Sequence, residues 1–117
     1  MLYLFCGMYL PEKEGAIVPL NKINSYLLST SHPIGKHKAV FFVSIVFEIG
    51  KPEVLQQALI QVAKQYQVIA FENTQFGNKY VIDGNIQAPN GRYYLLRTIW
   101  IIENNTNTAY LVTAYPL

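Results

Sequence analysis

The pattern of this chain changes at Gln65. Before that point apolar residues recur at helical spacings. After it, short apolar runs alternate with turn signals. Val68 to Phe71 and Lys79 to Ile82 read as strands separated by a turn at Phe76-Gly77-Asn78. Asp83-Gly84 and Pro89-Asn90-Gly91 read as further turns. Tyr93 to Ile102 is a long strand centred near Trp100, Asn104 to Asn107 is a polar loop, and Tyr110 to Tyr115 closes the series. Upstream, Gly50-Lys51-Pro52-Glu53 starts a helix, because proline suits the first turn and an acid there complements the dipole. Leu55, Leu59 and Val62 line one face of that helix to about Gln65. Leu20, Ile23 and Leu27 predict a short helix over Leu20 to Ser29. Helices followed by an antiparallel meander make the class α+β.

The run Lys38 to Ile49 is ambiguous. Its valines, isoleucines and phenylalanines favour a strand by propensity, but it is twelve residues long and its apolar positions surround the axis, which fits a buried helix as well.

The chain has 117 residues and predicts one domain over 1–117: a 1–14 extension, a helical part over 15–65 and a sheet over 66–117. With 51% hydrophobic and 14% charged residues, it is globular rather than disordered. A formal net charge of +2 does not by itself imply nucleic-acid binding. The one cysteine, Cys6, excludes an intrachain disulfide framework and reads as an inert thiol in a reducing, cytoplasmic setting. Met1 to Leu10 is apolar but has no basic flank and is too short to span a bilayer. It reads as a first strand on the domain, or as a segment covered by a partner or a second copy.

Chemistry concentrates in Ser31-His32-Pro33-Ile34-Gly35-Lys36-His37-Lys38, which holds both histidines and two of the nine basic residues. No acid lies between Gly15 and Phe47. Two groups that titrate near neutrality inside a cationic cluster suit an anionic ligand, and phosphodiester cleavage is the sharpest form of that reading. The bland alternative is a pair of satisfied loop or capping histidines. No Asp, Glu or Cys stands near them to complete a zinc shell, so no metal and no cofactor is expected. No nucleophile elbow, phosphate loop or dinucleotide fingerprint is present. Arg97 and Thr98 sit inside the long strand and must face opposite sides of the sheet. A mid-strand charge needs a partner or an anion. Thr113 and Tyr115 share a face of the last strand, as packing residues or as site residues.

Taken in order, Leu27-Leu28 to Phe42, Phe76-Gly77-Asn78-Lys79-Tyr80, Gly91-Arg92, Arg97-Thr98-Ile99-Trp100 and Leu111-Val112-Thr113-Ala114-Tyr115-Pro116 form a recognisable set. It resembles a family of small bacterial domains of uncharacterised function, common in cyanobacteria, with the signature YLL…HP-x-G-x-HKA-x-FF, FG-x-KY, VRT-x-W and LVTAYP. Val43 stands where that family usually has a basic residue, and Met1 to Leu10 precedes its usual start near Ala16. In element order the family resembles the barnase, EndoU and RelE-like ribonuclease toxins.

The resemblance implies N-terminal helices packed on a curved antiparallel sheet of about four strands, which turns Lys38 to Ile49 toward helix. It implies a toxin with a small antitoxin as partner, or a toxin tip on a larger protein. The matching positions are His32, His37, Lys38, Arg97, Thr98, Thr113 and Tyr115. The expected activity is metal-independent RNA cleavage. A histidine removes the 2′-OH proton, a second group protonates the leaving oxygen, and Lys38 and Arg97 stabilise the phosphorane. The alternative is a non-enzymatic module that binds RNA or protein.

Overall fold

The computed structural model describes residues 2–23, 41 and 51–117. Five strands form one sheet in the order β1-β2-β3-β4-β5, every neighbour antiparallel. They are β1 (Leu2–Met8), β2 (Val68–Thr74), β3 (Gly77–Gln87), β4 (Tyr93–Glu103) and β5 (Ala109–Pro116). One helical turn, α1 (Leu20–Lys22), and one full helix, α2 (Pro52–Gln65), are described.

The α2 helix starts where the sequence places it, with Pro52 in its first turn and Glu53 beside it. Leu55, Leu59, Val62 and Ala63 are buried against one face of the sheet. That face is built from alternate residues: Tyr80, Ile82 and Ile86 on β3, and Leu96 and Trp100 on β4. Full burial of a leucine such as Leu55 or Leu59 contributes roughly 1.5–3 kcal/mol. Leu10 and Val18, between β1 and α1, and Ile23, just after α1, complete the same core. Lys13 closes the far end of α2: its ammonium donates to the Lys64 carbonyl at 3.2 Å and lies 3.8 Å from the centroid of the Tyr9 ring.

The α+β class stands, with corrections. The chain opens on a strand, not on helices. Met1 to Leu10 supplies β1, which pairs with β2 and makes the sheet five-stranded rather than four. Of the expected Leu20 to Ser29 helix, Leu20–Lys22 is helical, and the residues from Asn24 onward lie outside the described residues. The Lys38 to Ile49 run also lies outside them except for Phe41, which is helical and meets Tyr94 edge-on at 5.9 Å.

Asp83-Gly84 is not a turn. β3 runs straight through it, because both residues pair with β4 and the ring of Tyr66 lies over Gly84. The turn at Ala88 to Arg92 is real: Gly91 takes φ 85° and donates to the Ala88 carbonyl at 2.9 Å.

Candidate functional site

The face of the sheet away from α2, here the outer face, carries the other phase of each strand. Two-residue alternation and the register place Asp83 of β3 opposite Arg97 of β4, and Arg97 opposite Tyr115 of β5. These residues form a row across three strands. The Arg97 guanidinium grips the Asp83 carboxylate with two parallel bonds, Nε to Oδ1 and Nη2 to Oδ2, both 2.9 Å. Such a fork fixes orientation as well as charge. The hydrogen bond to Asp83 is the largest cause holding the Arg97 pKa above its ordinary value. Desolvation opposes it, and attraction to Asp83 and contact with the Tyr115 hydroxyl add to it. Arg97 is therefore cationic at every physiological pH.

Thr113 lies one register step from this row, opposite Ile99. A bulge between Ile99 and Trp100 sets its orientation. Leu111 and Ala114 are three residues apart yet both are buried, pairing with Trp100 and Thr98. The extra residue in β5, Val112, makes that phase change and leaves Thr113 and Tyr115 together on the outer face. The Thr113 Oγ1 is buried and has no hydrogen-bond partner among the described residues. A buried hydroxyl in that state is uncommon and costs stability.

Of the seven residues singled out from sequence, Arg97, Thr113 and Tyr115 come together. Thr98 does not join them. It is fully buried on the α2 face, where its hydroxyl donates to the Ile82 carbonyl at 2.8 Å and accepts from Trp100 Nε1 at 2.8 Å. His32, His37 and Lys38 lie outside the described residues. Asp83 was missed, because an Asp-Gly pair reads locally as a turn. The mid-strand charge of Arg97 was the signal that such a partner exists. Among the described residues, no group of three His, Cys, Asp or Glu side chains is placed to hold a metal. No helix among them is long and apolar enough to cross a membrane.

Residues 9–117 match the family described as a domain of unknown function (DUF6883). The chain belongs to that family. The resemblance seen in the ordered motifs is thus borne out at the level of an uncharacterised family, and the match begins at residue 9 rather than near Ala16. No curated protein gives a significant match to this DUF6883 domain. In fold it is similar to a chain of the contact-dependent growth inhibition toxin–immunity protein complex from Klebsiella pneumoniae 342. The TM-score is 0.67 at 14% sequence identity, covering 92% of this chain and 97% of that one.

Proposed function

We propose that this DUF6883 domain is the toxin of a toxin–antitoxin or toxin–immunity pair and cleaves RNA without a metal. The observation that carries the reading is the outer-face row: an arginine locked in orientation by Asp83, a tyrosine hydroxyl beside it and a buried threonine hydroxyl left unpartnered among the described residues. Asp83 engages the Nε and Nη2 side of the guanidinium, so the Nη1 side can meet a phosphate oxygen. The fold likeness to a chain of a toxin–immunity complex supports a protein partner of the antitoxin or immunity kind.

In this mechanism His32 takes the 2′-OH proton and the oxygen attacks phosphorus. A second group, His37 or Tyr115, protonates the departing 5′ oxygen. Arg97 and Lys38 stabilise the charge on the phosphorane, and the products are a 2′,3′-cyclic phosphate and a 5′-OH end.

Charge balance assigns the electrostatic work. On the outer face Arg97 stands opposite Asp83 and Lys79 opposite Glu72, so these pairs add no net positive charge. Attraction for a polyanion therefore falls to the remaining basic residues, of which Lys36 and Lys38 stand beside both histidines in sequence.

The same compensation of Arg97 favours a second reading, a binding module without catalysis. There, lysine substitutions weaken a salt-sensitive RNA affinity and histidine substitutions do nothing. Inducible expression in a bacterium separates the two. The cleavage reading expects growth arrest and fragmented RNA with the parent, both lost in His32→Ala and Lys38→Ala at equal soluble level. It is abandoned if the folded variants stay as toxic as the parent, or if RNA remains intact while growth stops.

A further inference from the structure

β3 outruns β2. Their ladder ends at Ala70 and Val81, yet β3 continues to Gln87 beside the last turn of α2. A cleft of about 370 Å³ opens there, between that turn and the β3–β4 hairpin. Gln61, Gln65, Asn85 and Gln87 contribute carboxamides, Tyr66 and Tyr93 contribute rings, Ala58 and Ile86 contribute aliphatic surface, and no described lining residue is charged. Gly84 shapes the wall: a Cβ there would stand 2.6 Å from the Tyr66 ring, so only glycine lets that ring lie against the strand.

The amides are partly committed to one another. Gln65 Nε2 donates to Gln61 Oε1 at 3.2 Å, and Gln87 Nε2 donates to the Gly91 carbonyl at 3.4 Å. This leaves the Gln61 NH₂, the Gln65 and Gln87 carbonyls and the Asn85 amide to face a ligand. Tyr93, 68% exposed, offers a bare ring face.

We propose that this cleft binds a nucleobase. A ligand suited to it is neutral, planar and edged with alternating donors and acceptors. Carboxamides pair with such edges, and tyrosine rings stack on such faces. Its small volume fits a ligand of that size rather than an extended peptide. The cleft lies at the edge that β3 presents beyond the end of β2, where Asn85 stands two residues from Asp83 along the strand, roughly 7 Å away. The inference deepens the RNA reading and rests on it for the choice of ligand, by naming a base-recognition subsite on the same domain.

The test needs no catalysis. Adenosine, guanosine, cytidine and uridine, which carry no phosphate, are titrated separately into the full chain and followed through its backbone amide resonances, with glucose as the competing neutral ligand. Saturable shifts at Gln61, Gln65, Asn85, Gln87 and Tyr93 are expected, with a clear preference among the four bases. Tyr93→Ala should weaken binding about tenfold while Tyr93→Phe retains it. Asn85→Ala should change the order of preference. Both sites are exposed, so the variants should fold. Shifts with glucose but not with nucleosides overturn the proposal, as does nucleoside affinity unchanged in Tyr93→Ala. Nucleoside binding by a chain that leaves RNA intact supports the cleft and removes the cleavage reading. RNA cleavage without any nucleoside binding does the reverse.

Discussion

At the scale of single residues, the two strand threonines Thr98 and Thr113 have opposite fates. Thr98 is fully buried and its hydroxyl joins the Ile82 carbonyl to the Trp100 indole. Thr98→Val keeps the shape and removes both bonds, leaving the Trp100 N–H without an acceptor. Loss of about 1–3 kcal/mol is expected, read as a lower urea midpoint at constant slope. The same substitution at Thr113 removes a hydroxyl that satisfies nothing among the described residues, so Thr113→Val should hold or raise stability; a clear loss would reveal a hydrogen bond at that site. Arg97 and Asp83 are partly exposed, at 35% and 19%, and a double-mutant cycle with Arg97→Ala and Asp83→Ala should give a coupling of only about 0.5–1 kcal/mol. Its pH dependence follows from sign. The folded pKa of Arg97 is raised, so the stability it brings is complete below the ordinary arginine value and is lost only above it. Between neutrality and pH 10 the coupling should therefore be flat. A decline in that range would mean that another titrating group governs the pair. Position in a strand made the facing of these residues legible in advance: Arg97 and Thr98 had to diverge. The Asp83 partnership was not, because cross-strand register joins residues 14 apart in sequence.

At the scale of elements, Gly84 shows where local chemistry misleads. Asp-Gly is a strong turn signal, yet the alternation runs unbroken through it. Tyr80, Ile82, Gly84 and Ile86 are buried, and Val81, Asp83, Asn85 and Gln87 are not. Eleven consecutive pairs with β4 outweigh a two-residue preference. The glycine is there for contact, since the Tyr66 ring occupies the place of its side chain. Gly84→Ala should destabilise by roughly 1–3 kcal/mol through overpacking. In a Tyr66→Ala background most of that cost should vanish, because the colliding ring is gone. Equal costs in both backgrounds, measured by denaturation, would place the strain elsewhere. Helix α2 was legible almost to the residue, because proline, acid and apolar spacing all agree over Pro52–Gln65. The apolar start of the chain was read only as one of two alternatives. Nothing local says which strand an N-terminal segment will join.

At the scale of the whole molecule, the sheet closes its edges with segments from outside the meander. On one side Ile17 bridges β5 in parallel: its amide donates to the Ala109 carbonyl at 2.8 Å, and its carbonyl accepts from the Leu111 amide at 3.0 Å. On the other side β1 covers β2, the strand that carries Val68, Ala70 and Phe71. An uncovered edge of that composition is a template for pairing with another chain. Truncation tests the role of β1 directly. Deleting residues 1–8 removes β1 and leaves the family-matched residues 9–117 intact. Two changes should appear together. Thermal unfolding should shift downward by several degrees, at about 4–8 °C for each kcal/mol lost in a domain near this size. Sedimentation velocity should show the truncated chain associating with concentration, through β2 edges that now pair with each other. Lys substitution at Ile69 on the bared strand should then suppress the association without restoring the unfolding temperature, since charge on an edge blocks pairing but replaces none of the lost ladder. A truncated chain that stays monomeric and melts like the parent would show that β1 does not protect the edge.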